Sequence, residues 1–432
     1  MASTKYLSKR SHNVHQVPKP LLEGAMRFMA NPYDSTTNPE GIVNIGVAEN
    51  SLMHEELLEK LKPALTLKKE FFNYGMMFGT LELRTLMAGL FNRHFNPVEQ
   101  IQPSHITVHN GAGPSIDLLS YVISDPGDGV LITTPYYGGF DYDFEAHAEV
   151  KVIPVNLEGK SPFHVDHIEC LENAMLKAKE DGIRVRSMVL CNPHNPLGRC
   201  YPLEVLIELL RFANRHDLHV ISDEIYGLSW YEHDNDATPF ISLLSIPNLS
   251  NFIDPKLVHF IWSFSKDFCI NGLRVGIVMS PFNTEVISNL QALCLFNAIP
   301  NTSDHLIREL LVDTEWVDWF IQENQRKLLK NYTQTVEFLD RHRIRYNPST
   351  AGHFIWTDFT PITQKIAMVH GSEKAERVLW NAFIENGVYS SLGEAFHSSE
   401  PGYFRITFSI DWDVLNLGLS RLVKVIDSFE ES

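Results

Sequence analysis

The sequence of 432 residues predicts an α/β protein with a sheet of seven strands and a second, smaller α+β domain. Short runs rich in valine and isoleucine alternate with segments of helical periodicity between residues 106 and 280. Most of these runs are continuously apolar, as expected for strands that are buried on both faces. Beyond residue 305 the alternation stops and long helical patterns follow, which indicates a separate domain.

Seven segments are predicted to be the strands of the sheet. They are residues 106–109, 130–133, 149–155, 186–191, 219–222, 258–263 and 274–280. Helical patterns lie between several of them, for example at residues 113–122 and 203–216, and leucines give the second an apolar stripe. Because strands alternate with helices, the pattern indicates a doubly wound α/β sheet.

The two ends of the sequence differ from its middle. Residues 1–40 are polar and rich in turn-forming residues, so we interpret them as an arm, with a short helix near residues 21–29. After residue 300 we expect helices at 304–311, 316–341 and 415–429 and strands at 353–358 and 403–409. The predicted division is an arm (1–40), a large domain (71–304) and a discontinuous small domain (41–70 and 305–432).

Composition excludes several classes of function. The 53 acidic and 36 basic residues give a formal charge of −17, which disfavours nucleic acids and anionic membranes as partners. No window approaches the roughly 18 apolar residues of a spanning helix, and the first ten residues lack the apolar run of a secretory signal. Five cysteines without a CxxC spacing indicate thiols in a reducing compartment, so we expect a cytoplasmic protein. The acidic stretch 232–236 is interpreted as a solvated loop, and no metal is expected.

Polar residues follow the predicted strands at their carboxyl ends, where open α/β sheets bind ligands. They are a glycine turn at 110–113, Asn195, Asp223 with Tyr226, Ser263 with Lys266, and Arg274. A pyridine that carries a phosphate and an aldehyde needs an anion-binding turn at a helix start, a carboxylate for its nitrogen and a lysine for its aldehyde. Together these groups predict binding of such a cofactor.

The same segments resemble the class I/II aminotransferase superfamily, which uses pyridoxal 5′-phosphate (PLP). The motifs are Asn-Pro-Leu-Gly at 195–198, Ser-Asp-Glu-Ile-Tyr at 222–226, and Ser-Phe-Ser-Lys at 263–266 followed by Arg274. The resemblance runs from about residue 41 to the C-terminus and implies fold type I, in which the seven-stranded sheet of the large domain is mostly parallel.

A second set of motifs is similar to the 1-aminocyclopropane-1-carboxylate (ACC) synthase-like branch of that superfamily. They are Gly-Val-Ala-Glu-Asn at 46–50, Thr-Pro-Tyr-Tyr-Gly-Gly-Phe-Asp at 134–141 and Glu-Pro-Gly-Tyr-Phe-Arg at 400–405. Two positions depart from the pattern of plant ACC synthases: Tyr142 stands where they carry an arginine, and Gly138 where they carry a proline.

The resemblance implies a role for each cofactor-binding residue. Lys266 would bind the PLP aldehyde and, once displaced by an amino-acid substrate, act as the base for the Cα proton. Asp223 would pair with the ring nitrogen, and Asn195 and Tyr226 would hydrogen-bond the ring oxygen. The phosphate would be held by the N–H groups of Ala112 and Gly113, by Ser263 and by Arg274, while Tyr137 would stack on the ring.

The resemblance also implies how substrate and a second subunit would bind. Arg405 would hold the substrate α-carboxylate with its planar fork. Glu49 would lie near the substrate side chain, where a cationic sulfonium would be favourable. Tyr74 would reach the phosphate of the neighbouring subunit, so that two active sites are shared across a homodimer.

Several functions remain open at this point. The favoured one is loss of a γ- or β-substituent from an amino acid, with S-adenosylmethionine as substrate and a possible place in specialised metabolism. An aminotransferase or a C–S lyase acting on another amino acid is the alternative. A nicotinamide-dependent oxidoreductase is remote, because Ile116 replaces the third glycine of the dinucleotide fingerprint that Gly111 and Gly113 begin. A non-catalytic binding protein is equally remote, since it has no chemical need for Lys266.

Overall fold

The computed structural model describes residues 6–14, 17, 19–231 and 237–430, so the acidic stretch 232–236 lies outside the described residues. The strands are β1 (Val43–Asn44), β2 (Ile106–His109), β3 (Gly129–Thr133), β4 (Lys151–Val155), β5 (Val185–Cys191), β6 (His219–Asp223), β7 (Val258–Ser263), β8 (Gly276–Met279), β9 (Arg345–Asn347), β10 (Phe354–Asp358), β11 (Val388–Tyr389), β12 (Ser391–Leu392) and β13 (Tyr403–Thr407).

Helices precede, separate and follow these strands. They are α1 (Lys9–Val14), α2 (Pro20–Ala30), α3 (His54–Leu61), α4 (Leu81–His94), α5 (Ala112–Ile123), α6 (Gly139–Glu145), α7 (Ile168–Glu180), α8 (Leu203–Arg215), α9 (Phe264–Asp267), α10 (Thr284–Leu293), α11 (Asn301–Leu311), α12 (Thr314–Arg341), α13 (Thr360–His370), α14 (Ser372–Glu385) and α15 (Trp412–Glu430). Among the described residues, no helix has the length and apolar character needed to cross a bilayer.

The main sheet has seven strands in the order β2-β8-β7-β6-β5-β3-β4. Strands β7, β6, β5, β3 and β4 are mutually parallel, whereas β8 runs antiparallel to both of its neighbours. This confirms the predicted α/β fold class and the mostly parallel sheet. The predicted last strand began at residue 274, but Arg274 has a left-handed backbone (φ 55°), so the strand starts at Gly276.

A second, four-stranded antiparallel sheet has the order β12-β13-β10-β9, and β1 pairs in parallel with β11. One buried apolar cluster packs on the main sheet, and another gathers residues from β1, α12, α14 and the second sheet. Leu57 and Leu61 of α3 pack in the first cluster. The predicted domain boundaries stay a prediction, because packing clusters do not establish which segments fold independently.

Candidate active site

A cavity of 480 Å³ lies at the carboxyl ends of β5, β6 and β7, between the main sheet and the second sheet. Parallel pairing places Cys191, the last residue of β5, beside Asp223, the last residue of β6. Of the residues predicted from the sequence, the cavity is lined by Ala112, Gly113, Tyr137, Asn195, Asp223, Tyr226, Lys266, Arg274 and Arg405. The structure therefore brings nine of the twelve candidate residues together.

Lys266 lies in α9, the short helix that directly follows β7. Its ammonium is buried and donates a hydrogen bond to the backbone carbonyl of Ala48. Burial, together with the positive charges of Arg405 and Arg274, lowers the pKa of Lys266 to about 8, whereas Glu49 and Asp223 act in the opposite direction. A sizeable fraction of the amine is therefore neutral near pH 7–8.

Asp223 is a buried carboxyl with few donors around it. Its Oδ1 accepts the backbone N–H of Ile225 at 3.2 Å, and its Oδ2 faces the thiol of Cys191 at 3.9 Å. Burial raises the pKa of Asp223 to about 7, against the opposing effects of these hydrogen bonds and of Lys266. A cationic ring nitrogen placed against this carboxyl would restore its ionised form.

The N-terminus of α5 forms a cradle for an anion. Gly111 precedes the helix with φ +126°, and a Cβ atom there would lie 2.2 Å from Nη2 of Arg274. Arg274 is fixed from the other side, because its Nη1 donates to the carbonyl of Asn271 at 2.9 Å. Free N–H groups of a helix start and an adjacent guanidinium together suit a phosphate group.

Arg405 is buried on β13 with one nitrogen unpaired. Its Nη1 donates to Oδ1 of Asn195 at 3.0 Å and its Nη2 to the carbonyl of Gly46 at 2.8 Å, while Nε has no partner. The guanidinium lies 4.8 Å from the ring centroids of both Phe354 and Phe396. A buried cation without a counter-ion attracts a carboxylate strongly.

Tyr226 and Tyr137 complete the wall around these charges. Tyr226 packs edge-on against His353 and Phe354, with ring centroids 5.2 and 5.3 Å apart. Burial raises the pKa of Tyr137 to about 12, so its hydroxyl stays protonated at neutral pH. Both phenols can therefore donate hydrogen bonds into the cavity.

Three predicted residues lie outside the cavity lining. The side chain of Ser263 points at Ser265, with its hydroxyl 2.8 Å from Oγ of that residue, and it is Ser265 that lines the cavity. Glu49 is exposed, although its charge acts on Lys266. Tyr74 is 95% exposed and lies in a separate surface depression with Met76. The roles proposed for these residues stay predictions.

Sequence reasoning missed several residues at this site. Asp143 of α6 lines the cavity, and its Oδ1 is 2.8 Å from the position that a Cβ atom on Gly113 would take. Burial and the charge of Asp223 raise the pKa of Asp143 to about 7. Leu21, Leu22 and Ala25 of α2 also line the cavity. The Ser-Phe-Ser-Lys motif contains Ser265 and could have indicated it. No motif in the arm indicated that residues of α2 line the cavity.

The sequence profile of the family described as aminotransferase class I and II matches residues 40–422. The 1-aminocyclopropane-1-carboxylate synthase-like protein 1 of Mus musculus is 32% identical over 414 residues, which cover 94% of this chain and 80% of the relative. A 1-aminocyclopropane-1-carboxylate synthase of Cucurbita maxima is 29% identical over 429 residues, which cover 96% and 85%.

A solved structure of a Thermus thermophilus aspartate aminotransferase variant, complexed with tryptophan, is similar to the whole fold. The TM-score is 0.77 at 22% sequence identity, and the alignment covers 98% of this chain and 100% of that chain. An aspartate aminotransferase of Thermotoga maritima gives a TM-score of 0.69 at 20% identity. At this level of identity the likeness concerns the fold alone.

Proposed function

Because the chain belongs to the aminotransferase class I and II family, for which PLP is the cofactor, we propose a specific reaction for this PLP-dependent enzyme. It removes the Cα proton of an amino acid and expels a γ- or β-substituent, with S-adenosylmethionine as the favoured substrate. The observation that carries the proposal is the burial of Lys266 and Arg405 in one cavity, where a base and a carboxylate anchor face the same space.

The residues of the cavity fit the cofactor. Asp223 is a buried carboxyl with no cation in direct contact, so it is available to pair with a protonated pyridine nitrogen. The start of α5 and the guanidinium of Arg274 together suit a phosphate. Ser265 joins that set as a hydroxyl beside the lysine. When bound, PLP supplies an electron-withdrawing ring that stabilises negative charge at Cα.

The protein's own residues then divide the remaining work. Arg405 binds the α-carboxylate. It also donates a hydrogen bond to the side chain of Asn195, which lies at the edge of the cofactor site. Lys266 accepts the Cα proton on Nζ, and a pKa of about 8 makes it effective near neutral pH. When PLP is bound, ionised Asp223 would pair with the ring nitrogen and keep it protonated. The hydroxyl of Tyr226 would donate a hydrogen bond to the ring oxygen.

Two observations favour S-adenosylmethionine among the possible substrates. The chain is similar over most of its length to proteins named as ACC synthases and ACC synthase-like proteins. Glu49 lies near enough to Lys266 to influence its pKa, so its carboxylate can offset the charge of a sulfonium. Tyr142, which departs from the plant pattern, is 42% exposed and has the ammonium of Lys19 4.4 Å from its ring centroid.

The second candidate is an aminotransferase or a C–S lyase that acts on another amino acid. The family description favours transamination, since the same Lys266 can return the proton to a different carbon. The nicotinamide-dependent alternative is dropped, because the family to which the chain belongs uses PLP.

The quaternary structure and the location belong to the same proposal. We propose a homodimer, because Tyr74, Met76, Leu295 and Phe296 are at least half exposed. The first three line one surface depression and Phe296 follows Leu295 in the chain, so we treat the four as one apolar face. All five cysteines are free and buried, which supports a reducing compartment such as the cytoplasm.

Mass spectrometry of the products tests the reaction directly. The PLP-loaded protein is incubated with S-adenosylmethionine, with Lys266→Ala as the matched control that lacks the base. We expect methylthioadenosine together with ACC from the wild type and neither product from the variant. Methylthioadenosine with another amino acid would keep the γ-elimination and change its outcome. No consumption would move the assignment to a C–S lyase or an aminotransferase.

A further inference from the structure

Helix α2 forms a wall of the active-site cavity, although none of the residues with a proposed catalytic role lies on this helix. Leu21, Leu22 and Ala25 line the cavity, together with Val47 and Tyr389. Leu22 is 52% exposed, so its side chain is only partly covered by protein. An apolar surface that faces a substrate cavity and is incompletely covered suits contact with an apolar ligand group.

The helix is held firmly in this place. A Cβ atom on Gly24 would lie 2.2 Å from the ring of Tyr389, so the glycine permits a close approach to β11. The ring of Phe28 stacks on Tyr389 at 5.9 Å, and Arg27 donates a hydrogen bond to the side chain of Asn381. The three lining residues are therefore fixed by packing rather than left on a loose arm.

The charged residues of α2 and its N-terminal neighbour all point away from the cavity. Lys19 lies over the ring of Tyr142, Glu23 pairs with Arg377 at 3.3 Å, and Arg27 reaches Asn381. The acidic and basic side chains of the lining come from other elements, and they are Asp143, Asp223, Lys266, Arg274 and Arg405. Neither α2 nor segment 46–48 offers an ionisable side chain to the cavity.

We propose that Leu21, Leu22 and Ala25 form the subsite for the end of the substrate's side chain and select an uncharged, apolar or aromatic group there. The inference rests on the proposed function, in which Arg405 holds the α-carboxylate. A charge at the end of the side chain would be buried against leucines without a partner, which is unfavourable. An uncharged adenine or alkyl group has a much smaller cost of desolvation when it enters the same space.

Two amino acids of similar length, L-methionine and L-glutamate, test the subsite. Their dissociation constants for the PLP-loaded wild type are measured from the change in the cofactor's absorbance spectrum. We expect L-methionine to bind at least about tenfold more tightly, a difference of about 1.4 kcal/mol. Exchange of the Cα proton in deuterated water, followed by NMR, reports turnover without knowledge of the final product.

Leu22→Arg is the informative variant, and Met29→Arg is its matched control. Met29 lies on the same helix, is 61% exposed and does not line the cavity. We expect Leu22→Arg to bind L-glutamate about tenfold more tightly and L-methionine more weakly, whereas Met29→Arg keeps the wild-type preference. Thermal unfolding of both variants confirms that the fold is retained.

The outcomes separate the two proposals. Cα-proton exchange with both amino acids but equal dissociation constants would overturn the subsite and leave the proposed function standing. Equal changes in the dissociation constants of Leu22→Arg and Met29→Arg would overturn the subsite as well, because the added positive charge alone would then explain the effect. Absence of binding and exchange with any amino acid, S-adenosylmethionine included, would overturn both.

Discussion

At the scale of single residues, burial decides the chemistry of the candidate site. Arg405 and Lys266 carry like charges in the same cavity, and the charge of Arg405 helps to lower the pKa of Lys266 to about 8. The buried carboxyl of Asp223 shows the opposite shift, to about 7. An amine and an acid on the protein surface would each be fully ionised at pH 7.

The low pKa of Lys266 predicts unusual reactivity in the cofactor-free protein. Reductive methylation needs the neutral amine, so the rate at Lys266 should rise through pH 8, about two pH units below the ordinary value for lysine. Peptide mass spectrometry measures the rate, and exposed Lys256 in the same sample is the internal control. A rate at Lys266 that follows that of Lys256 would contradict the shift.

Removal of Arg405 should mainly weaken substrate binding. Loss of a buried charge pair with the α-carboxylate costs about 2–4 kcal/mol, which is roughly 30-fold to 1000-fold in the dissociation constant. Spectral titration of Arg405→Ala with L-methionine measures the change, and Arg326→Ala serves as a control on an exposed arginine of α12 whose pair with Glu323 lies outside the cavity. An unchanged affinity in Arg405→Ala would show that the carboxylate binds elsewhere.

At the scale of secondary-structure elements, one carboxyl connects the segments that follow β6 and β7. Asp267, the last residue of α9, accepts hydrogen bonds from the N–H of Leu228 at 3.0 Å, the hydroxyl of Ser229 at 2.7 Å and the indole of Trp262 at 2.8 Å. The turn after β6 carries Tyr226, and α9 carries Lys266. Asp267 therefore fixes the distance between two strand ends that the site depends on.

Asp267→Ala should destabilise the protein by about 3 kcal/mol or more. Three buried donors would lose their acceptor, and each such loss costs roughly 1–3 kcal/mol. Urea denaturation followed by fluorescence measures the effect, with Asp427→Ala as the control on an exposed carboxyl of α15. Asp267→Asn keeps one acceptor oxygen and should lose less. Equal midpoints for Asp267→Ala and Asp427→Ala would contradict this role.

At the scale of the whole molecule, the cavity lies where the main sheet, the second sheet and the arm meet. Asp223 comes from β6 of the main sheet, Lys266 from α9, Arg405 from β13 and Leu22 from α2. Tyr74 lies in a separate surface depression, outside this cavity. A second subunit bound at the apolar face would cover the side chains of Tyr74, Met76, Leu295 and Phe296, which are exposed in the monomer.

A charge placed on that apolar face should separate the proposed dimer. Leu295 is 65% exposed, and we expect Leu295→Asp to sediment as a monomer at micromolar concentration, whereas the wild type sediments as a dimer. Met368→Asp is the control, because Met368 is 83% exposed on α13, outside the apolar face. A wild-type monomer, or two variants that dissociate alike, would refute the interface.

The sequence alone predicted the fold class, the strands of the main sheet and nine residues of the cavity lining. Most of these residues were predicted because each strand end and the polar residues after it are close in sequence, and because parallel strands bring such ends together. Arg405, on β13 of the second sheet, was predicted only from the family resemblance. The start of β8 was predicted two residues early, because Arg274 has a left-handed backbone that the apolar pattern of the segment does not indicate.

Only the tertiary structure decided which side chains share the cavity with residues far away in the sequence. Ser265 rather than Ser263 lines the cavity, Asp143 fills the space beside Gly113, and Leu22 of α2 contributes to the cavity wall. Local pattern carries no information on these contacts, because they depend on how α2, α6 and β13 pack on the main sheet. The sequence by itself determined the cofactor, since a few adjacent groups at strand ends bind it, whereas packing between distant segments decided the surface that receives the substrate's side chain.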